Sequence, residues 1–305
     1  MFIREFILLG FGNTKNLNIF LFVLFLIIYI VTVSGNILII TLVVAEKRLR
    51  TPMYFFLSNL SFLEICYTTT ILPKMMASFV TGNRTISLWG CILQMHIFCT
   101  LAATECYLLA AMSYDRYLAI CRPLHYVILM NCKTCVLLVS MSWIIGFMLI
   151  SVLTSLLSQL TFCNQYKIDH FFCDFTPLIQ LSCSDTWVIE TFVISIFVIL
   201  GPCAVTLFSY IYIISTILRI PSAKGQQKAF STCSSHLAVV IIWYGSTIFL
   251  YVKPSKRTSL EMTKVVNILS TVVTPLLNPF IYTLRNKEVK EAFKKLYFFS
   301  AITTY

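Results

Sequence analysis

The sequence is poor in charge, and poorest in negative charge. Only 11% of its 305 residues are charged, and Asp and Glu together number 12. A soluble chain of this length would carry about a quarter charged residues, so an ordinary soluble fold is excluded. The nine glycines form no phosphate-binding loop and the four histidines form no metal-binding pair. With no nucleophile beside a base either, nothing indicates an enzyme.

The chain consists largely of long apolar runs. Hydrophobic residues make up 58% of the chain, and stretches near the length that crosses a bilayer, about 20 residues, recur between short polar joints. We predict an all-α membrane protein, a seven-transmembrane helix bundle. We number the spans one to seven, at about 19–45, 53–77, 92–120, 135–158, 187–218, 229–251 and 262–284.

The distribution of Lys and Arg predicts the orientation. Most of them follow spans one, three, five and seven, for example Arg50, Arg122 and Lys224, and this side is expected to be cytoplasmic. Residues 1–18 are then an extracellular N-terminus without a cleavable signal, 19–285 the receptor domain, and 286–305 a cytoplasmic tail. The tail would form a short amphipathic helix with Val289, Phe293 and Leu296 toward lipid. The net charge of +11 lies in separate loops, where lipid headgroups rather than nucleic acid are the expected partner.

Cysteines and a glycosylation sequon occur in the joints predicted to be extracellular. Asn83 begins an Asn-Arg-Thr sequon after span two. Cys91 lies at the outer end of span three, and Cys163, Cys173 and Cys183 share one long outer joint. Of three possible connectivities, we expect Cys91 with Cys173 and Cys163 with Cys183. His170 beside Cys173 leaves a metal site as a minor alternative, and we predict no resident metal.

Ionisable residues inside the spans are costly in lipid and therefore point to function. Glu64 lies in the middle of span two, Glu105 in the middle of span three, and Asp115 with Arg116 at the inner end of span three. If Glu64 and Glu105 approach each other, the pair must hold a proton or a cation. A sodium ion and two protonated carboxyls are equally compatible with the sequence.

The motifs of the chain, in their order, are long and specific. They include Thr51 to Ser61 (TPMYFFLSNLS), Met112 to Cys121 (MSYDRYLAIC), Lys228 to Leu237 (KAFSTCSSHL) and Pro275 to Asn286 (PLLNPFIYTLRN). With these motifs the chain resembles vertebrate olfactory receptors of the rhodopsin-like, G-protein-coupled class. The resemblance covers nearly the whole sequence.

The resemblance implies an odorant receptor of the plasma membrane. Its odorant would be a small, mostly apolar volatile molecule, and its intracellular partner a heterotrimeric G protein of the stimulatory olfactory type. The switch and G-protein contacts would then lie at the following residues: Asp115, Arg116, Tyr117, Tyr210, His236, Asn278, Pro279 and Tyr282. A transporter is the competing class, since it also uses buried carboxylates and proline-broken spans, but the chain has no detectable inverted repeat.

An odorant pocket is expected in the outer half of the bundle, on the stripe of span three above Glu105. Small alanines there would leave space, and spans five to seven would add apolar walls and a few hydroxyls. The candidate lining is Phe98, Cys99, Ala102, Ala103, Ile194, Val198, Tyr244, Thr247, Ile248, Tyr251, Ile268 and Thr271. Plain interhelical packing is the alternative role for each of them.

Overall fold

Seven apolar helices dominate the molecule. The computed structural model describes residues 4–10, 15–160, 162, 166–183, 194–251, 260–284 and 289–293. Seven of the helices in these ranges are long and apolar enough to cross a membrane, which confirms the predicted bundle. The protein is therefore a multi-pass membrane protein.

At most of their ends, the helices extend beyond the spans that hydropathy predicts. Spans one to four are the helices Lys15–Ala45, Pro52–Thr81, Leu88–Cys121 and Cys132–Ser158. Span five is described from Ile194, as the π-helical stretch Ile194–Leu200 and the α-helix Gly201–Leu218. Span six is Ala223–Tyr251. Span seven consists of Leu260–Ile268, the π-helical Leu269–Val273 and Thr274–Leu284.

Polar caps explain why the helices extend beyond the apolar runs. Span three begins at Leu88 because the Ser87 side chain accepts a hydrogen bond from the Gly90 backbone, and span four begins after Asn131, which caps Thr134 in the same way. Span two ends at Gly82, which has the left-handed φ of 69° that glycine tolerates. Hydropathy marks the part of a helix in lipid, whereas the caps set its ends.

The end of the bundle that is expected to be extracellular carries a small sheet that the sequence did not predict. Strand β1 (Glu5–Leu8) pairs antiparallel with β2 (Thr85–Ser87) and parallel with β3 (Lys167–Ile168). The Phe6 side chain is fully buried beneath this sheet. The N-terminal segment therefore packs onto the end of the bundle where it forms strand β1. Helix one begins at Lys15 and so includes residues 15–18, which were expected to be extracellular.

Small residues allow two close helix contacts. A Cβ on Gly146 of span four would lie 2.6 Å from the Thr104 hydroxyl and 2.9 Å from its backbone nitrogen in span three. A Cβ on Gly35 of span one would lie 3.1 Å from Pro279 of span seven. These glycines permit the backbones to approach, so the centre of the bundle is packed around span three.

Two short helical segments follow spans three and seven, whose C-terminal ends are expected to be cytoplasmic. Pro123–Leu129 follows span three and buries none of its side chains. Residues 289–293 are helical, as expected for the amphipathic tail. The expectation that Val289 faces lipid is wrong, because Val289 is buried in the main core of the protein while Phe293 is 46% exposed. Leu296, the third apolar residue expected there, lies outside the described residues.

Candidate functional site

The C-terminal end of span three, which is expected to be cytoplasmic, holds a buried ion pair. Arg116 donates to one carboxylate oxygen of Asp115 through Nε, at 3.0 Å, and through Nη2. The other oxygen accepts from the Tyr126 hydroxyl at 2.8 Å. Both charged residues are at least nine-tenths buried, and such a pair is costly to break by removing one partner. Tyr126, on the short helix after span three, is a partner that the sequence analysis missed.

Spans five and six meet next to this ion pair. The Tyr210 hydroxyl lies 2.7 Å from Nδ1 of His236, and both side chains are buried. The other ring nitrogen of His236, Nε2, has no hydrogen-bond partner among the described residues. Tyr117 packs against Tyr114 and Tyr212. The predicted switch residues of spans three, five and six therefore lie together at the inner end of the bundle.

A second cluster of buried polar side chains lies in the middle of the bundle. The Asn278 amide of span seven donates to Glu64 of span two, and Asn36 of span one donates to the carbonyl of Pro275 at 3.5 Å. Glu105 lies within electrostatic reach of Glu64. Neither carboxylate oxygen of Glu105, nor Oε2 of Glu64, has a hydrogen-bond partner among the described residues.

The remaining predicted switch residues belong to span seven. Pro279 is buried and lies against Gly35, as described above. Tyr282 is on the same helix, but its side chain lies outside the described part of the chain. Asn278 and Pro279 thus bring span seven against spans one and two.

A cavity lies in the outer half of the bundle, between spans three, four, five and six. It encloses about 480 Å³ of space free of atoms, its opening included. Span three contributes the largest share of the wall, and Phe175 of the outer helix Phe175–Gln180 closes it from above. The lining residues are Met95, Cys99, Ala102, Ala103, Cys106, Ile150, Leu153, Thr154, Phe175, Val198, Ile199, Thr247 and Tyr251.

Half of the predicted pocket residues line this cavity. Those that do are Cys99, Ala102, Ala103, Val198, Thr247 and Tyr251. Met95 and Cys106 lie on the same helical stripe as Cys99 and Ala102, so the 3.6-residue period would have identified them. Span four has no charged residue that would indicate its inward face, and its contribution of Ile150, Leu153 and Thr154 was missed.

The other predicted pocket residues are placed elsewhere in the packing. Phe98 packs on Tyr67 and Phe172, with ring centroids 4.9 and 4.7 Å away. The Tyr244 hydroxyl donates to the Cys106 carbonyl at 2.7 Å, and Thr271 donates to the Asn267 carbonyl. Ile248 and Ile268 pack against the core, and the Ile194 side chain lies outside the described residues. Aromatic rings therefore fill the side towards spans two and seven.

Cys106 connects the floor of the cavity to span six. Its sulfur lies 3.4 Å from the indole nitrogen of Trp243, which donates to it, and its carbonyl accepts from Tyr244 as noted above. Trp243 also contacts Tyr67, whose ring meets Phe98. A change in the cavity can therefore reach span six directly.

The segment above the cavity is bound to spans three and seven. A disulfide joins Cys173 to Cys91 of span three, and the Cys173 backbone nitrogen donates to the Gln94 side chain. Lys264 of span seven forms an ion pair with Asp169 at 2.8 Å. Cys183 is also disulfide-bonded, whereas Cys163 lies outside the described residues, so the second predicted pairing stays a prediction.

Two buried titratable residues belong to this outer segment. His170 lies between Phe171 and Phe172, with Nε2 3.0 Å from the Asn267 amide. Burial lowers the pKa of the His170 imidazole to about 4. Burial likewise raises the pKa of the Asp174 carboxyl to about 6. No metal-binding cluster of His, Cys, Asp or Glu occurs among the described residues.

The sequon asparagine is accessible. Asn83 is exposed beside the sheet, and its side-chain oxygen accepts from the backbone nitrogen and the hydroxyl of Thr85, at 2.9 and 2.8 Å. A second sequon, Asn-Leu-Ser, begins at Asn59, which lies within span two and donates to the Phe55 carbonyl. Only the first of these two positions is placed to meet an oligosaccharide.

Seven apolar helices, a disulfide across the outer mouth and an Asp-Arg pair at the inner end define a seven-helix membrane receptor of the G-protein-coupled class. Comparison with known proteins defines it further. The family model for olfactory receptors matches residues 25–299. The chain belongs to the olfactory receptor family and is an odorant receptor, not an enzyme.

Named relatives cover nearly the whole chain. Human olfactory receptor 6F1 is 56% identical over 294 residues, covering 96% of each chain. Rat olfactory receptor 287 is 56% identical over 292 residues, 95% of this chain and 94% of the relative. Human olfactory receptor 6C3 is 51% identical over 296 residues, 96% of this chain and 95% of the relative.

Proposed function

We propose that the receptor binds a small, mostly apolar volatile molecule in the cavity that spans three, four, five and six enclose. The observation that carries this proposal is the lining, in which aliphatic and sulfur-containing side chains surround a space of about 480 Å³. Ala102 and Ala103 leave the space that a larger residue would fill.

Ligand binding outside is coupled to G-protein binding inside. An agonist that presses on Cys106 changes the contacts of Trp243 and Tyr244 and favours a second packing of span six. Outward movement of span six opens the inner end of the bundle, where Arg116 leaves Asp115 and contacts the partner. The partner is a heterotrimeric G protein of the stimulatory olfactory type.

The receptor acts at the plasma membrane with its N-terminus outside. The exposed Asn83 supports this orientation because glycans are added on the extracellular side. The cytoplasmic tail, 286–305, lies against lipid headgroups of the inner leaflet, as the basic residue Lys290, exposed on the tail helix, supports.

A panel of volatile molecules applied to cells that express the receptor tests the function. We expect an agonist-dependent rise of cyclic nucleotide that requires the stimulatory olfactory G protein. The graded series Ala103→Val, Ala103→Leu and Ala103→Phe should reduce the response in the order of side-chain volume at equal surface density. Uptake of ligand without a G-protein signal would favour a transporter, and unchanged responses across the series would place the ligand elsewhere.

A sodium ion between Glu64 and Glu105 is a further part of the proposal. Three carboxylate oxygens of this buried pair have no hydrogen-bond partner among the described residues, and a cation would satisfy them. Replacing sodium by N-methyl-D-glucamine at constant osmolarity should then raise agonist affinity in the wild type and leave it unchanged in Glu105→Gln. An agonist affinity that does not change with sodium in the wild type contradicts the ion site.

A further inference from the structure

Span five contains a carbonyl that its own helix leaves without a donor. In a π-helical stretch such as Ile194–Leu200, a carbonyl accepts from the backbone nitrogen five residues later. For Phe197 that residue is Pro202, which has no N–H. The Phe197 side chain is 57% exposed on the outside of the bundle, where lipid offers no hydrogen bond. This carbonyl therefore needs a donor from a neighbouring span.

Tyr107 of span three provides this donor. Its hydroxyl donates to the Phe197 carbonyl at 2.6 Å. Tyr107 is half-buried and comes directly after Cys106 and one turn after Ala103, both of which line the cavity. Tyr107 itself does not line the cavity. The hydrogen bond therefore joins span three to span five beside the cavity.

The two residues that follow Phe197 form part of the cavity wall on span five. Val198 and Ile199 are both buried and line the cavity. The direction of their side chains depends on the hydrogen-bond register of the helix, because each residue turns the chain by about 100°. A change of register by one residue would turn these two side chains away from the cavity.

The proline permits two registers, which differ in the carbonyl that it leaves without a donor. In the observed π register this carbonyl belongs to Phe197. In an α register the Gly201 nitrogen would donate to Phe197. The carbonyl without a donor would then be that of Val198, four residues before Pro202. Because the Tyr107 hydroxyl donates to Phe197, it stabilises the π register.

We propose that Tyr107 is a positioning residue for ligand recognition, whose hydroxyl fixes the register of span five and thereby places Val198 and Ile199 in the cavity wall. The inference rests on the proposed ligand cavity and adds a residue that sets its shape. Because Tyr107 acts through span five, its loss should change which molecules fit the cavity rather than abolish signalling.

A double-mutant cycle between Tyr107 and Pro202 tests the hydrogen bond without any ligand. Tyr107→Phe removes the donor and should lower the apparent Tm of the purified receptor by about 3–6 °C. Pro202→Ala restores the backbone N–H, so on this background Tyr107→Phe should lower the Tm by less than about 1 °C. Tyr114→Phe, two turns further along the same face of span three, is the control for loss of a hydroxyl. Equal decreases on both backgrounds would overturn the proposal.

The order of agonist potencies tests the positioning of the cavity wall. The probes are homologous volatile hydrocarbons and esters of four to twelve carbons. In Tyr107→Phe the largest agonists, which fill the cavity as far as span five, should lose about tenfold in potency, whereas the smallest should change by less than about twofold. A uniform loss for all agonists, or no change at normal surface density, would contradict the positioning role.

Ala103→Phe tests the cavity itself. If this variant leaves all responses intact at normal surface density, the proposed ligand site is wrong. If Ala103→Phe removes the responses but Tyr107→Phe keeps the wild-type order of potencies, the ligand site stands and the role of Tyr107 is wrong. Should Pro202→Ala fail to fold, the order of potencies in Tyr107→Phe still decides the proposal.

Discussion

Tyr126 completes the ion pair of span three by donating a hydrogen bond to Asp115. The sequence identified Asp115 and Arg116, because two charges in an apolar helix are costly and because the surrounding motif resembles that of olfactory receptors. It did not identify Tyr126, which lies eleven positions beyond Asp115 and forms a bond that depends on the turn at Pro123. Contacts across such a turn cannot be inferred from helical periodicity alone.

Removing the Tyr126 hydroxyl should raise basal signalling. A hydrogen bond to a charged group is worth about 1–2 kcal/mol at a partly exposed site, which changes the balance of two receptor states by roughly 5- to 30-fold. Tyr126→Phe should therefore increase ligand-independent cyclic nucleotide at equal surface density. Tyr114→Phe, on the lipid side of span three, is the control, and equal basal activity of the two variants would argue against the lock.

His170 predicts a specific pH dependence of stability. Burial, assisted by the charge of Lys264 and opposed by a backbone hydrogen bond and Asp169, lowers the pKa of its imidazole from 6.5 to about 4. Below pH 6.5 the His170 imidazole is protonated in the unfolded chain but stays neutral in the folded protein until the pH nears 4. The free energy of unfolding therefore decreases as the pH falls from 6.5 towards 4. At pH 5.5 the loss from this residue is roughly 1 kcal/mol.

Thermal unfolding of purified receptor at pH 7.5 and pH 5.5 measures this loss. His170→Gln keeps polar atoms for Phe172 and Asn267 but does not titrate, so its apparent Tm should fall less than that of the wild type. Asp174 titrates in the opposite sense, because its raised pKa of about 6 stabilises the folded state as pH falls, but it is present in both proteins. Parallel decreases in Tm would exclude His170 as the cause.

At the scale of the helix, one glycine determines how span four packs against span three. Its apolar sequence showed that it crosses the membrane but gave no information on which face meets span three. In the structure the face that carries Gly146 meets span three, and a methyl group at Gly146 would clash with the Thr104 hydroxyl and backbone. The cavity residues Ile150, Leu153 and Thr154 follow on the same helix, so the contact at Gly146 also sets the width of the cavity.

Gly146→Ala should separate spans three and four. We expect a loss of about 1–3 kcal/mol in stability, together with weaker responses to agonist, because the cavity wall moves. Gly245→Ala in span six is the matched control, since a Cβ there meets no atom within 4 Å, and its effect should stay below about 1 kcal/mol. Thermal unfolding distinguishes the two, and a Gly146 variant as stable as the Gly245 variant would disprove the close contact.

The elements that the sequence could not predict are those stabilised by long-range pairing. Strand β1 has only four residues, Glu5–Leu8, and joins segments from two later joints of the chain. Its short apolar run resembles many others in this sequence. The spans, in contrast, are specified locally by about 20 apolar residues each, which is why their number and order followed from hydropathy.

At the scale of the whole molecule, span three connects the outer and inner sites. Its outer turns carry Cys91 and the stripe that lines the cavity, its centre carries Glu105 and Cys106, and its inner end carries Arg116. Hydropathy alone could not distinguish a receptor from a transporter, and the ordered motifs made that distinction. The cavity wall needed the structure, because many apolar side chains in a span suit either lipid or a ligand.

Agonist affinity with and without G protein is the measurement that tests this coupling most directly. Linkage requires that a G protein bound at the inner end strengthen agonist binding by the same factor by which agonist strengthens G-protein binding. Using an agonist from the volatile panel and membranes from cells with equal receptor density, we expect the stimulatory olfactory G protein to increase agonist affinity about 5- to 150-fold. An agonist affinity that is the same with and without G protein would contradict the account.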